Sequence, residues 1–367
     1  MNWSRSIKRR LGATLCTLVA AACGIEQPAG AADSAVILMY HHVDASTPAS
    51  TSVTPERFEA HLEHLEDEGY RVRPLLDVLE ALRSGQPVED RTVVLTFDDG
   101  YSSVLDAAMP LLRSRNWPFT VFVASDYAEG NHRGYLDWDG LRELTANGAT
   151  IGNHSRSHAH FVRRLRGESE RQWRDRIRDE IEAAGRRLED ELGEAVIPVL
   201  AYPFGEYDTD VKGIVAELGL FALGQHSGAA GSNSDFLALP RFPVASGYDD
   251  LDGFAQRLRS KALPVELIGG EEHVVADGAS LPTLRIRLLP GDYRADALAC
   301  YATAQGAMDI EWLGDNFEEV AARPRASLAP GRSKYNCTAP SASENGVFYW
   351  FSYLWMNRNE DGSWYAE

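Results

Sequence analysis

The sequence is poor in cysteine, in basic residues and in long apolar runs, and each shortage argues against a class of protein. It holds only four cysteines in 367 residues, with no Cys-x-x-Cys pair, so a cysteine-ligated zinc site is not expected. Its 36 Lys and Arg against 54 Asp and Glu give a net charge of −18, which makes nucleic acid a poor partner. No Gly-x-Ser-x-Gly motif suggests a serine nucleophile. The composition, 44% hydrophobic and 25% charged, is that of a globular chain rather than a disordered or multi-span membrane protein.

The N-terminal segment, residues 1–32, predicts a signal peptide. Basic residues at positions 5 and 8–10 precede an apolar stretch of about 12 residues, which is too short to span a bilayer of ~30 Å. The small residues at 29–32 would serve as a cleavage site. We therefore expect an exported protein that is periplasmic, associated with the cell envelope or secreted. Lipidation at Cys23 remains open as the route to a membrane, and Arg9-Arg10 leaves a twin-arginine signal open.

Two cysteines, Cys300 and Cys337, lie far beyond that segment. In an oxidising compartment we expect them to form a disulfide within the C-terminal region. Two free buried thiols are the alternative.

Residues 33–264 predict an α/β domain. Short β-branched runs alternate there with amphipathic stretches, a pattern typical of a parallel sheet or barrel. In such folds the chemistry collects where the strands end. The predicted strands are 36–39, 92–97, 120–123, 150–153, 196–201 and 220–223, and the predicted helices are 55–69, 75–84, 102–115, 139–147, 170–192, 208–218 and 248–261.

Residues 265–367 predict a second, small all-β domain of sandwich-like form. Turn residues are frequent, and strand-like runs occur at 265–267, 284–289 and 347–354. Residues 266–282 are a candidate linker. The run 348–355 is dense in aromatic residues, which predicts either a doubly buried central strand or an aromatic platform for a ligand. No sequence feature indicates an oligomer.

Two adjacent carboxylates, Asp98 and Asp99, follow the predicted strand 92–97 and precede Gly100. Neighbouring side chains at a strand end point in different directions, so one acid can bind a metal while the other faces a reacting water. A solvent-exposed Asp-Asp-Gly turn is the alternative.

His154 and His158 follow the strand 150–153. Histidines four residues apart lie on one face of a helical turn, so we expect such a turn to bring both imidazoles to one ion. With one Asp they would leave coordination positions open for water and substrate. Zn²⁺ is favoured, with Co²⁺, Ni²⁺ or Mn²⁺ as alternatives. Surface histidines are the competing explanation, but two such motifs at strand ends of one domain favour the metal site.

A third motif, Tyr202-Pro203-Phe204-Gly205, follows the predicted strand 196–201. A Pro-aromatic-Gly turn exposes backbone N–H groups at the end of a sheet, and such groups can stabilise an oxyanion. Phe204 and Tyr202 are therefore candidate oxyanion or substrate-binding residues, and an ordinary turn is the alternative.

These three motifs, in this order and context, resemble those of the polysaccharide deacetylases of carbohydrate esterase family 4. The resemblance covers roughly residues 35–262. It implies a distorted (β/α)7 barrel that hydrolyses N- or O-acetyl groups on sugars with Zn²⁺ or a similar ion. It also implies that Asp98 is the catalytic base and that the metal ligands are Asp99, His154 and His158.

The chain departs from the family pattern in its third motif, where many members have an arginine that holds the catalytic aspartate. Ala201 stands at that place. Arg241, near the last predicted barrel strand, is the candidate substitute, and a surface arginine is the alternative.

A second departure concerns the catalytic acid, because the usual C-terminal histidine motif is not found after residue 241. The first predicted strand is instead followed by Tyr40-His41, which resembles the circularly permuted subgroup that includes the poly-N-acetylglucosamine deacetylases. There the acid histidine belongs to the first strand. His41 is then the predicted acid, with His42 and His226 as alternatives and a structural histidine as the competing explanation.

The sequence therefore predicts an exported, metal-dependent deacetylase of an acetylated amino-sugar polysaccharide, with poly-N-acetylglucosamine favoured. A peptidoglycan or chitin deacetylase, an O-acetyl esterase and another metal hydrolase on a barrel remain alternatives. An inactive polysaccharide-binding protein is the alternative of a different class, and carbohydrate binding by the C-terminal domain also stays open.

Overall fold

The computed structural model describes residues 31–366, except 131, 276–280 and 315. The predicted signal peptide up to residue 30, with Cys23 and the twin-arginine pair, lies outside the described residues. Within the described ranges, no helix has both the length and the apolar character needed to cross a membrane.

Seven parallel strands form a curled barrel, which confirms the predicted distorted (β/α)7 architecture. Neighbours in the sheet follow chain order, and the last strand pairs with the first. One parallel bridge, Leu223 to Leu239, completes the ring, so the barrel closes through a short, irregular seam. The strands are β1 Ser34–Tyr40, β2 Thr92–Phe97, β3 Phe119–Val123, β4 Ala149–Asn153, β5 Val196–Ala201, β6 Phe221–Leu223 and β7 Phe242–Pro243.

Helices cover the outside of the barrel, and this is why β1 and β2 are continuous buried runs rather than alternating ones. Side chains at the predicted helix starts cap the helices. At the start of α6, for example, the Ser169 hydroxyl and the Gln172 amide form a reciprocal capping box. The helices are α1 Pro55–Asp67, α2 Leu75–Arg83, α3 Met109–Ser114, α4 Ser125–Glu129, α5 Trp138–Ala146, α6 Glu170–Leu192, α7 Thr209–Glu217 and α8 Leu251–Leu258.

The prediction of one continuous helix over 102–115 was wrong. The chain forms a π-helical turn over Val104–Ala108 before α3 begins, with the Met109 N–H donating to the Val104 carbonyl five residues back. Pro110 is the second residue of α3 and has no N–H to continue the α-helical ladder.

Two packed sheets form the C-terminal region, in agreement with the predicted β domain. One sheet places the long strand β14 between β13 and the two-residue strands 261–262 and 274–275, and the other has the order β8-β9-β12-β11. The strands are β8 Val265–Leu267, β9 Leu284–Leu288, β10 Ala299–Ala302, β11 Asp309–Trp312, β12 Glu319–Arg323, β13 Gly331–Pro340 and β14 Phe348–Asn357.

Strand β14 contains the aromatic run and is mostly buried, as predicted for a central strand, while the aromatic platform stays a prediction. From Ser352 onward it is buried, as expected of a central strand, whereas Trp350 and Phe351 near its start are half-buried. The candidate linker 266–282 is not simply a linker, because residues 265–267 form β8 and residues 274–275 pair with β14.

A disulfide joins Cys300 and Cys337, which confirms the predicted pair. The two residues lie opposite each other on β10 and β13 and are separated by 37 positions in the chain.

Replacing both Cys300 and Cys337 by Ala is expected to lower the free energy of unfolding by about 3–4 kcal/mol, because a bridge over a loop of this length restricts the unfolded chain. Denaturant titration of the variant and of the wild type would measure the difference. The chemically reduced wild type is the matched control. A loss below about 1 kcal/mol in both would contradict the prediction.

Candidate metal centre and active site

Three parallel strands bring the sequence motifs to one end of the barrel. Asp98 and Asp99 follow β2, His154 follows β4, and Phe204 lies in the turn after β5. Asp99 takes a left-handed conformation (φ 74°). This backbone turn separates the two carboxylates, so Asp98 is fully buried inside the barrel while Asp99 lies partly exposed at its mouth.

Asp99, His154 and His158 converge on one point. The Asp99 Oδ1 atom lies 3.2 Å from His154 Nε2 and 3.4 Å from His158 Nε2. One ligand atom from each residue falls within 4.8 Å of the others. Two imidazole nitrogens and one carboxylate oxygen are a donor set typical of Zn²⁺ and related divalent ions.

The hydrogen bonding of His154 fits a metal ligand. Its Nδ1 atom lies 2.8 Å from the Ala201 carbonyl, which fixes Nδ1 as the donor and leaves Nε2 without a proton in the neutral ring. Nε2 is buried and has no hydrogen-bond partner among the described residues. An orphaned buried nitrogen beside a carboxylate is what a metal ligand needs, so these residues fit the divalent ion that the donor set implies.

The predicted helical turn at the two histidines was wrong, although the side chains converge. Residues 154–158 form an irregular loop in which Ser155 (φ 69°) and His158 (φ 57°) are left-handed. The Asn153 side chain accepts a hydrogen bond from the Ser155 N–H, and the Ser155 hydroxyl accepts one from the His158 N–H. These local bonds replace the helical ladder.

Buried Glu180 on α6 holds this loop and was not recognised in the sequence. Its carboxylate accepts hydrogen bonds from the Ser157 N–H and hydroxyl, both at 2.9 Å, and its carbonyl accepts one from the Arg156 N–H. A signal did exist, because Glu180 falls within the buried stripe that Ile177 and Ile181 mark on α6.

Arg241 forms a bidentate ion pair with Asp98 in the barrel interior. Its Nη1 and Nη2 atoms donate to the two Asp98 oxygens at 2.6 and 2.7 Å, and both residues are fully buried. The Arg241 Nε atom also donates to the Gly224 carbonyl at 2.9 Å. The guanidinium therefore takes the place expected for the arginine that Ala201 does not supply.

Burial and neighbouring charges act together on the pKa values of the carboxylates and histidines at this site. Burial would raise the pKa of Asp98, but the charge and hydrogen bonds of Arg241 outweigh it and hold that pKa below its ordinary value. Burial also opposes ionisation of Asp99, yet the nearby histidines lower its pKa. For His154, burial is outweighed by Asp99 and Asp98, so its pKa is raised. Burial and the charge of His154 lower the pKa of His158 to about 4.

The three candidate acid histidines lie in different surroundings. His41 follows β1, and its charge is among the causes that lower the pKa of Asp98 and Asp99, so it lies near these carboxylates. The His42 ring stacks on Tyr101 at 3.5 Å. His226 is buried away from the carboxylates, with its Nδ1 atom 3.4 Å from the Tyr207 hydroxyl. The geometry favours His41 over His226, and the acid role itself stays a prediction.

The turn after β5 brings Phe204 to the histidines, and the oxyanion role of its N–H stays a prediction. Phe204 is left-handed (φ 59°), and its ring packs against His158 and His160. The neighbouring Gly205 N–H is used within the turn, where it donates to the Tyr202 carbonyl. The Tyr202 side chain is fully buried and donates to the Leu237 carbonyl at 2.8 Å, so only the backbone of Tyr202 is left for its predicted role.

Glu206 anchors this turn to distant parts of the chain. It is fully buried and accepts hydrogen bonds from the loop after β4 and from the C-terminal region. Its partners are His160 Nδ1 at 2.7 Å, Tyr365 Oη at 2.6 Å, and Arg163 and Arg332, both at 3.2 Å.

Residues 85–223 match the family model described as polysaccharide deacetylase. This matched segment contains the two carboxylates, the two histidines and the Phe204 turn. The chain carries a polysaccharide deacetylase domain.

Known proteins that are similar to this chain match different parts of it. A Bacillus subtilis protein, YxkH, whose name describes it as a polysaccharide deacetylase, is 26% identical over 212 residues, covering 58% of this chain and 71% of its own. The poly-β-1,6-N-acetyl-D-glucosamine N-deacetylase of Escherichia coli K12 is 33% identical over 85 residues, which are 23% of this chain and only 13% of that enzyme. The solved structure of the Streptococcus pyogenes deacetylase PplD in complex with acetate has a TM-score of 0.55 at 23% identity, covering 61% of this chain and 98% of that one.

The candidate site also includes tyrosines that the sequence analysis did not single out. Tyr101, Tyr127 and Tyr135 line a small cleft of about 40 Å³ together with Asp99 and His158. The Tyr127 and Tyr135 rings stack at 4.5 Å. Tyr101 directly follows the Asp-Asp-Gly motif and could have been noticed, whereas only the fold brings the other two to the site.

Proposed function

We propose that this protein is an exported, metal-dependent polysaccharide N-deacetylase that acts on an N-acetylglucosamine polymer, with poly-N-acetylglucosamine as the favoured substrate. The observation that carries the proposal is the Asp98–Arg241 pair beside the Asp99, His154 and His158 cluster. A binding protein has no need of a buried, ionised carboxylate next to an orphaned imidazole nitrogen. The position of His41 on the first strand and the similarity to the E. coli enzyme favour this substrate class.

Export is supported by two features of the chain. The N-terminal segment has the charge and length of a signal peptide. The Cys300–Cys337 bridge requires a compartment that permits disulfides.

Each group at the mouth has a role in the proposed reaction. When bound by Asp99, His154 and His158, a divalent ion, Zn²⁺ by preference, supplies a Lewis acid that polarises the acetyl carbonyl and acidifies water. Asp98, kept ionised by Arg241, accepts a proton from the attacking water. The Phe204 N–H donates a hydrogen bond to the developing oxyanion.

Amide cleavage also needs a proton donor, because an amine is a poor leaving group unless it is protonated as it departs. His41 donates that proton. Water is consumed, the C–N bond breaks, and acetate and a free amino sugar are released.

Acetate release from N-acetylglucosamine oligomers of β-1,6 and β-1,4 linkage tests the proposal. We expect acetate from the chain starting at residue 33 when Zn²⁺ or Co²⁺ is supplied and none after chelation, with faster release from the β-1,6 oligomers. Re-addition of the metal must restore the rate, which separates metal loss from unfolding. Absence of acetate from every oligomer, with metal shown to be bound, would favour the binding-protein alternative.

His41→Ala is expected to lower the rate of acetate release from N-acetyl substrates by about 100-fold. Hydrolysis of an activated acetyl ester should fall far less, because its leaving group needs no proton. The comparison of the two substrates in one preparation checks the role. His42→Ala is the matched control, and an equal or larger selective loss there would transfer the acid role to His42.

A further inference from the structure

A cavity of about 490 Å³ lies between the barrel seam and the C-terminal sheets, away from the metal centre. None of Asp98, Asp99, His154, His158 or His41 lines it. Its volume is in the range of small-molecule and cofactor sites. The segment 226–240 forms the barrel side, and the start of β14 forms the other side.

Five aromatic side chains line this cavity, which we call the junction cavity. Tyr349, Trp350, Phe351 and Tyr353 of β14 line it together with Tyr207. The indole N–H of the half-buried Trp350 donates a hydrogen bond to the Ser352 hydroxyl at 2.9 Å, which fixes the orientation of the ring. Fixed aromatic faces attract both flat apolar ligand surfaces and cations.

Carboxylates outnumber cations around the same cavity. Asp33, Asp235, Glu271 and Asp292 line it. Lys212 contacts only two of them, with its Nζ atom 2.5 Å from Asp235 and 2.6 Å from Glu271.

The other two carboxylates carry no salt bridge within the described part of the chain. Asp292 accepts hydroxyl hydrogen bonds from Ser341 at 2.8 Å and Ser343 at 2.5 Å. Asp33 is exposed at the cavity edge. The charge of Lys261 acts on both Asp33 and Asp292 without a salt bridge to either, and the described lining itself holds four carboxylates and no Lys or Arg, so it is a negative surface that a cationic ligand would partly neutralise.

A histidine in the lining offers a further polar group. His226 is only 5% exposed and lines the cavity, and its Nε2 atom has no hydrogen-bond partner among the described residues. Burial lowers the pKa of His226 to about 3, so the ring is neutral at ordinary pH and can bond a hydroxyl without adding positive charge.

We propose that the junction cavity is a second glycan site that binds glucosamine units, the deacetylated product of the reaction. This inference rests on the proposed function, since that reaction is what supplies a free amine on the sugar. The aromatic walls contact the pyranose faces, and the surplus carboxylates bind the ammonium groups. An N-acetylglucosamine unit has no charge to offer and is bulkier, so the site discriminates product from substrate.

Calorimetric titration of the Asp98→Asn chain, with chelator present and at about pH 6, tests this proposal. A glucosamine tetramer, whose amines are protonated there, is compared with an N-acetylglucosamine tetramer. We expect the glucosamine tetramer to bind about tenfold tighter or better, as charge-assisted contacts require. Equal affinities, or no binding of the glucosamine tetramer, would overturn the proposal.

A double variant, Asp33→Asn with Asp292→Asn, tests whether the glucosamine tetramer binds in this cavity. This pair of changes should weaken glucosamine tetramer binding about tenfold while thermal unfolding stays unchanged. Glu59→Gln with Glu63→Gln removes two exposed carboxylates from α1 and is the matched control. Equal loss in the control, or no loss in the cavity variant, would overturn the assignment to this cavity.

Binding in the Asp98→Asn background does not depend on turnover. If the wild type releases no acetate but the glucosamine tetramer still binds through Asp33 and Asp292, the proposed function fails and the cavity assignment stands. If the wild type releases acetate but the glucosamine tetramer does not bind, the proposed function stands and the cavity assignment fails.

Discussion

Asp98→Asn is expected to lower kcat for acetate release by about 10²- to 10⁴-fold, the range that a general base contributes. The amide keeps the size of the side chain but cannot accept the proton of the attacking water. Acetate assay of the metal-loaded variant measures the effect.

Metal content distinguishes this loss from a damaged metal centre. Asp98 lies next to Asp99 in the chain, yet its oxygens are held by Arg241 inside the barrel. The variant should therefore bind one metal ion per chain, as the wild type is expected to. Asp106→Asn, a change of an exposed carboxylate, is the matched control with full activity. Retention of more than a tenth of the wild-type rate by Asp98→Asn would remove Asp98 from the base role.

Arg241→Met is expected to lower the free energy of unfolding by about 3–5 kcal/mol, because it leaves the buried Asp98 carboxylate without its partner. It also removes the donor to the Gly224 carbonyl. Denaturant unfolding measures the loss, and the acetate rate should fall with it because the base is no longer held or kept ionised.

The pH dependence of this destabilisation follows from the direction of the pKa shift. In the wild type the pKa of Asp98 is lowered, so its stabilising contribution is present at neutral pH and is lost only as the pH falls below about 4. Without Arg241, burial alone would raise that pKa, and the folded variant would lose stability as the pH rises. The difference between wild type and variant should be largest near neutral pH and shrink toward pH ~4.

A double variant supplies the control for this pair. Asp98→Leu with Arg241→Met removes both charges and should recover part of the stability lost in Arg241→Met, although activity stays absent. If the double variant is less stable than Arg241→Met at neutral pH, the pair is not the source of the loss.

The barrel was largely predictable because its signals are local. Strands β2 and β5 and helix α6 have the predicted bounds, since each is a continuous apolar run or a capped amphipathic stretch. The failed predictions depend on details that periodicity does not contain. Helix 102–115 gave way to a π turn before Pro110, and the predicted helix 248–261 is only Leu251–Leu258 because Asp250 caps it late.

The candidate site was predictable where residues follow strand ends and not where the fold brings distant segments together. Parallel strands of one barrel end at the same mouth, so Asp99 and His154 could be placed together from sequence alone. Arg241 could be named as a candidate, but its bidentate contact with Asp98 depends on the seam that joins β6, β7 and β1. The support from Glu180 depends on the docking of α6, which no local pattern specifies.

Some contacts of Glu206 can form only late in synthesis, after the barrel residues around it have been made. The carboxylate lies beside the Phe204 turn, and one of its donors, Tyr365, is 159 residues further along the chain. At synthesis rates of about 5–20 residues per second, that donor is made roughly 8–30 s after the turn. The hydrogen bonds that Tyr365 and Arg332 donate to Glu206 therefore form only once the C-terminal region has been made and has docked. A chain that has completed only its barrel holds every catalytic candidate and has the His160 and Arg163 contacts to Glu206, but it lacks these two.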